Sequence, residues 1–129
     1  TKNELNNLTD NGIPRSFEKS VYDAMSQTIL EAYQGCDPTV SCCFGVVSSR
    51  ADMSESGKIV YDQITELNND RDFLELVDSF GIKTWDDCGW WTGDVTNKTL
   101  YEGVSNELDS GEIDFLNKAL ENRQISYRF

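Results

Sequence analysis

Apolar residues recur at every fourth position through one segment of the chain, namely Phe17, Val21, Met25, Ile29 and Tyr33. Because an α-helix has about 3.6 residues per turn, this spacing places the five side chains on a single helical face. A proline precedes the stripe and a glycine follows it, at positions that suit the first turn and the end of a helix. The sequence therefore predicts a long amphipathic helix over residues 14–34.

Four further segments have the apolar spacing of amphipathic helices, and they cover residues 56–68, 71–80, 98–109 and 112–122. Asp70 is placed to cap the second of these helices, and Gly81 is placed to end it. Short strands are predicted over residues 39–49, with a short buried helix as the alternative, and over residues 82–85. The tail at 124–129 alternates as a strand does. Five helices with two or three short strands predict an α+β fold, with an all-helical fold as the alternative. The chain of 129 residues suits one domain, with residues 1–12 as a weakly ordered lead-in.

The strongest compositional feature is a net charge of −12, from 23 acidic and 11 basic residues. Phosphate backbones and anionic membranes repel such a surface, so we expect neither nucleic acid nor membrane partners, and basic proteins become the natural ones. The chain has no apolar stretch of the roughly 20 residues that a membrane span needs. Its first residues also lack the order of a signal peptide. We therefore expect a cytoplasmic protein, with a periplasmic or secreted one after signal removal as the alternative.

The sequence contains no histidine, which removes Ser–His and Cys–His nucleophile pairs and the commonest neutral metal ligand. The acidic runs at 68–72 and 109–114 imitate parts of a calcium loop. Each lacks the closing carboxylate, so helix capping explains them better. We predict no catalytic residue, no metal site and no cofactor. The alternative is a hydrolase in which Asp86 and Asp87 work with Glu102 or Glu107 on carbohydrate.

Four cysteines, Cys36, Cys42, Cys43 and Cys88, permit either two disulfides or four free thiols. No Cys-x-x-Cys spacing is present, so a zinc site is not expected. Cys42 and Cys43 lie in an apolar run where reduced cysteine serves as a small core residue, which favours free thiols. The sequence leaves the pairing open.

The acidic charge is concentrated in residues 51–87, which hold ten acidic and three basic residues, whereas the flanking segments have net charges of only −2 and −3. Two acids lie four apart on the 56–68 helix, and three lie at intervals of three on the next helix, where we predict one exposed acidic edge. The segment then continues into paired aspartates and paired tryptophans. Aromatic anchors beside a charged rim are typical of protein interfaces. The predicted partner-binding residues are Asp62, Glu66, Asp72, Glu75, Asp78, Asp86, Asp87, Trp90 and Trp91.

These observations favour a small acidic protein that binds and inhibits a basic partner, for example an immunity protein that neutralises a nuclease toxin or a protein that mimics DNA. Two alternatives stand beside this hypothesis. One is the carboxylate-dependent hydrolase, and the other is an acidic subunit of a larger assembly. The sequence leaves the identity of the partner and the oligomeric state open.

Overall fold

Helices dominate the part of the chain that the computed structural model describes, which is residues 14–33, 47–86 and 95–129. These residues form α1 (Lys19–Tyr33), α2 (Glu55–Ile64), α3 (Asp70–Phe80), α4 (Leu100–Glu107) and α5 (Ser110–Asn122). A 3₁₀ turn at Arg50–Asp52 precedes α2. Strand β1 (Lys83–Asp86) pairs in antiparallel register with β2 (Val95–Lys98). The α+β prediction is confirmed, and the elements pack into one compact domain.

Helix α1 lies at the centre and packs against both α2 and α3, while α2 also packs against α5. The predicted stripe explains this position, since Met25, Ile29 and Tyr33 are buried and Phe17 and Val21 are half-buried. The remaining core comes mainly from α3, α4 and α5. Its fully buried large side chains include Phe73, Leu76, Phe80, Leu100, Leu116 and Leu120.

Helix α1 begins at Lys19 rather than at Pro14, so the prediction of its start is wrong. The preceding backbone uses its N–H groups in contacts outside the helix. The N–H of Ser16 donates to the Asp72 carboxylate at 2.7 Å, and the N–H of Phe17 donates to the Tyr22 hydroxyl at 3.3 Å. These bonds hold residues 16 and 17 outside the helix, which begins at Lys19.

Helix α2 ends at Ile64, four residues before the predicted end. The chain then turns, with the N–H of Glu66 donating to the Gln63 carbonyl and that of Leu67 to the Ile64 carbonyl, which closes the helix tightly. The cap of α3 is also one residue earlier than predicted. The Asn69 side chain, and not that of Asp70, accepts from the Asp72 N–H at 2.8 Å.

Helices α4 and α5 each begin with a capping box, in which the cap residue and the third helical residue satisfy each other's N–H groups. Thr99 and Glu102 form the first box, and Asp109 and Glu112 form the second. The capping interpretation of residues 109–114 is therefore confirmed. Helix α4 starts two residues later than predicted, because residues 95–98 form β2, a strand that the sequence did not predict.

The tail at 124–129 is not a strand, although its alternation is real, since Ile125 is buried and Tyr127 and Phe129 are half-buried. Side chains replace a neighbouring strand as its hydrogen-bond partners. The N–H of Ser126 donates to Asp70 at 2.7 Å, and the N–H of Phe129 donates to Asn117 at 2.8 Å. The alternating pattern correctly marks the buried face, but it does not supply a partner strand.

Several predictions concern residues outside the described ranges. These include the lead-in at 1–12, all four cysteines, and residues 39–46 of the first predicted strand. Residues 47–49 of that segment are described and are not a strand, with Val47 buried and Ser49 preceding the 3₁₀ turn. Within the described residues, no helix combines the length and the apolar character needed to cross a bilayer.

Candidate functional site

Asp72, predicted on an exposed acidic edge, is fully buried in the first turn of α3. Its Oδ1 accepts hydrogen bonds from the Tyr22 hydroxyl at 2.6 Å and from the Ser16 N–H at 2.7 Å, and its Oδ2 accepts from the Asn68 N–H at 2.8 Å. Burial raises the pKa of the Asp72 carboxyl, but these hydrogen bonds outweigh it and hold the pKa below its ordinary value. The predicted exposure is wrong, because this carboxylate joins α3 to α1.

Glu75 is also buried, so its predicted exposure is wrong as well. The Arg71 guanidinium donates to Glu75 Oε1 from Nη2 at 2.8 Å and from Nε at 3.0 Å, and Arg15 Nη1 lies 3.7 Å from the same oxygen. Two arginines therefore surround this carboxylate. Glu75 holds the segment before α1 against α3.

Asp78 is exposed, and helix geometry explains why it differs from the other two acids on α3. Residues three apart on a helix are rotated by about 60° around its axis, so Asp72 and Asp78 lie about 120° apart. That rotation carries the row from the face against α1 to the solvent face. Residues at intervals of three thus wind around the helix axis and do not stay on one exposed face.

Asp62 and Glu66, the two acids predicted on α2, have different surroundings. Asp62 is half-exposed and accepts two hydrogen bonds from Arg50, each of 2.7 Å, which hold the pKa of its carboxyl below the ordinary value. Glu66 is exposed and follows the end of α2. It therefore precedes the N-terminus of α3, while Asp78 lies in the last turn of the same helix. These two exposed acids are at opposite ends of α3.

The other predicted partner-binding residues cannot be placed relative to these acids. Asp86 belongs to β1, but its side chain lies outside the described part of the structure. Asp87, Trp90 and Trp91 lie outside it entirely. Their partner-binding role stays a prediction.

A groove of about 520 Å³ opens beside Asp78, where α3 ends. Its lining is mainly apolar, and its principal residues are Val77, Asp78, Ile82, Thr99, Tyr101 and Tyr127. The Ile82 side chain is 72% exposed, which distinguishes it from the other large apolar side chains in the described residues. The groove therefore combines an accessible apolar surface with one carboxylate.

Gly81 fixes the position of Ile82. Its backbone has φ of 56° and ψ of −130°, a conformation that side chains with a Cβ rarely adopt, and its N–H donates to the Val77 carbonyl at 3.0 Å. The chain leaves α3 at this glycine and enters β1 at Lys83. Ile82 lies between the two elements and is turned toward solvent.

An aromatic cluster supports the opposite wall of the groove. The Tyr127 ring is nearly parallel to that of Phe73, with centroids 5.3 Å apart, and the ring of Tyr101 lies 6.0 Å from the same phenylalanine. Phe129 contacts both Phe73 and Tyr101 at 5.6 and 5.8 Å. Interlocked rings of this kind have few alternative rotamers, so the wall is preorganised.

On the other side of Tyr101 lies a shallower opening of about 360 Å³, lined also by Lys98, Glu102, Ser105 and Asn106. This opening is wide, and its surface is of mixed polarity. Glu102 serves the cap of α4, since hydrogen bonds from Thr99 lower the pKa of its carboxyl and the Lys98 charge lowers it further. Glu102 therefore has a structural role at the start of α4.

A third buried carboxylate, Glu112, joins α5 to the start of α2. Its Oε2 accepts hydrogen bonds from the Ser54 N–H at 2.9 Å and the Ser54 hydroxyl at 2.8 Å. Gly57 leaves room for it, because a Cβ at that position would lie 2.2 Å from the same oxygen.

Within residues 14–33, 47–86 and 95–129, no cluster of three or more acidic, histidine or cysteine side chains could hold a metal ion.

Sequence reasoning found Asp78 but missed Ile82, Tyr101 and Tyr127. The groove brings together the end of α3, the start of α4 and the tail, which are far apart in the chain. No local pattern marks such a convergence. The one available signal was an isoleucine directly after a helix-ending glycine, outside the apolar stripe of α3.

Comparisons of this chain with protein-family models, curated proteins and solved structures found no match. A function must therefore be argued from the charge and geometry described above. The groove beside Asp78 and the exposed acids are the features available for that argument.

Proposed function

We propose that this protein binds a basic protein partner and inhibits it by occupying its surface, as an immunity protein occupies a toxin. The supporting observation is the way in which acids and bases are distributed among the described contacts. Five bases in the described ranges are engaged in ion pairs with acids of the same chain, namely Arg15, Lys19, Arg50, Lys58 and Arg71. A set of exposed acids has no such ion pair within the same ranges, namely Glu18, Glu66, Asp78, Asp114 and Glu121.

The exposed surface is negative because acids outnumber bases, and the five described ion pairs involve only four of the acids. A negative surface accelerates encounter with a positive partner and repels a negative one. The exposed acids occur on several elements, so the field acts from several directions. A groove with an apolar lining then offers a place where an encounter complex can become a specific one.

The experiment starts from partners captured on the immobilised protein at about 50 mM NaCl, which are purified and measured individually by binding kinetics across a salt series. We expect a basic partner whose on-rate falls at least about tenfold between low and high salt. Two triple variants provide a graded test. Replacement of Glu18, Glu66 and Glu121 by Gln should slow association, and replacement by Lys should slow it further.

All three of these glutamates are exposed, so neither triple variant should change the melting temperature appreciably. A captured partner that is acidic or neutral would contradict the proposal. So would an on-rate that is the same for the wild type and both triple variants. The carbohydrate hydrolase depends on Asp86 and Asp87, whose side chains lie outside the described part of the structure, so that alternative stays a prediction.

A further inference from the structure

The groove at the end of α3 has the form of a docking site for one large apolar side chain. A single exposed apolar residue is common on protein surfaces. Ile82 differs because it stands at the rim of a concavity whose other walls, Val77, Tyr101 and Tyr127, are also mainly apolar. A side chain inserted there would lose water on several sides at once, which is the setting in which interface residues contribute most to affinity. The volume of about 520 Å³ also lies within the range typical of ligand-binding pockets.

The negative charge of Asp78 at the rim of the groove favours a cation next to the apolar side chain of the partner. Asp78 is the charged residue of the lining. Asp78 is exposed and forms no ion pair among the described residues. Its carboxylate is therefore available to a cation that arrives with the partner.

We propose that this groove receives a segment of the basic partner in which a large aliphatic or aromatic side chain lies next to Lys or Arg. The apolar side chain packs between Ile82 and the rings of Tyr101 and Tyr127, and the neighbouring cation contacts Asp78. This inference rests on the proposed function and adds to it the contact surface and the chemistry of the segment that is recognised.

The direct test uses short peptides and the amide spectrum of isotope-labelled protein. The probe is the blocked hexapeptide Gly-Ser-Leu-Lys-Gly-Ser, and its controls carry Glu in place of Lys or Ala in place of Leu. We expect the Leu-Lys peptide to shift the amide signals of Gly81, Ile82 and Tyr101, and each control to give shifts at least fivefold smaller at equal concentration. In the Asp78→Lys variant the preference should reverse, so that the Leu-Glu peptide gives the larger shifts.

The second test uses the purified basic partner and three variants. Ile82→Asp should weaken binding by about 30-fold or more, the loss expected for a central anchor. Asp78→Lys should slow association by about tenfold at low salt. Glu66→Lys changes the net charge by the same amount at the far end of α3, and it should have a clearly smaller effect than Asp78→Lys. Ile82→Ala, which adds no charge, checks that the loss in Ile82→Asp comes from the missing apolar contact, and its affinity should also fall.

The outcomes separate this inference from the function on which it rests. If Asp78→Lys and Glu66→Lys slow association equally and neither Ile82 variant matters, the groove is not the contact surface, while salt-dependent binding still supports the proposed function. Equal shifts from the Leu-Lys and Leu-Glu peptides would likewise overturn the groove assignment. If the wild-type protein binds no basic partner in a salt-dependent way, the proposed function fails as well.

Discussion

Replacing Asp72 with Asn should destabilise this protein far more than the same replacement at Asp78 on the same helix. Both changes remove one negative charge and preserve the shape of the side chain. Asp72 is buried and accepts three hydrogen bonds, whereas Asp78 is exposed. The comparison therefore isolates what the buried carboxylate contributes to the fold.

The magnitude follows from the three donors. In the Asp72→Asn variant the amide oxygen can still accept from Tyr22 and Ser16, but without the ionic charge each bond weakens by about 1 kcal/mol. The amide NH₂ would then face the Asn68 N–H, leaving a donor against a donor at a cost of about 1–3 kcal/mol. We expect Asp72→Asn to lower the free energy of unfolding by about 3–5 kcal/mol, and Asp78→Asn to change it by less than about 0.5 kcal/mol.

The dependence of stability on pH provides a second test of the contribution from Asp72. The pKa of Asp72 is lower in the folded protein than in the unfolded chain, so its contribution to stability is fully present above about pH 4. That contribution is lost as the pH falls through the folded pKa. The difference in stability between the wild type and Asp72→Asn should therefore be constant near neutral pH and shrink below about pH 4.

Urea unfolding followed by circular dichroism, repeated from about pH 7 to about pH 3, measures both effects. Tyr22→Phe removes one donor and should cost less in the Asp72→Asn background than in the wild type, because the two residues share a hydrogen bond. Equal destabilisation by Asp72→Asn and Asp78→Asn would refute this account of the buried carboxylate. A stability difference that does not change with pH would refute its linkage to protonation.

Substitutions at three further positions test other contacts by the same unfolding measurement. Gly57→Ala should cost about 1–3 kcal/mol because the new methyl group displaces the Glu112 carboxylate, and a cost near zero would contradict the close contact. Thr99→Ala removes a helix cap and should cost about 1 kcal/mol, whereas Thr99→Ser should retain most of the stability. Arg50→Ala breaks an ion pair with Asp62 that is about half exposed, so it should cost less than about 1 kcal/mol, and a larger loss in high salt would argue against this ion pair.

The helices could be predicted because each carries its own apolar stripe, and burial of that stripe does not depend on which partner covers it. Some helix boundaries were predictable, such as the end of α3 at Phe80 before Gly81. Others involve contacts that the local sequence does not show. The residues before α1 are held outside the helix by Asp72, more than fifty residues away in the chain. In the turn that follows α2, the Leu67 carbonyl accepts a hydrogen bond from Arg123. The strand-like tail failed for the same reason, because its partners are side chains of Asp70 and Asn117.

The candidate site was predictable only in part, because sequence shows where acids are but not whether donors meet them. Asp72 and Glu75 look like surface residues by their chemistry and their interval of three. Their burial is possible only because hydroxyl, backbone N–H and guanidinium donors converge on their oxygens. Asp78 has no such donors among the described contacts. Of the three acids in this row on α3, it is the one that is exposed as predicted.

The acidity of this chain therefore has two physical roles that mutation can separate. Asp72 and Glu112 carry charge that holds elements together, and altering them should change folding whatever the protein binds. Glu66 and Asp78 carry charge exposed to solvent, and altering them should change association while the fold persists. Net charge counts both groups alike and so overstates the charge available to a partner. The electrostatic contribution to binding should scale with the exposed acids alone, and the groove at Ile82 would turn that general attraction into recognition.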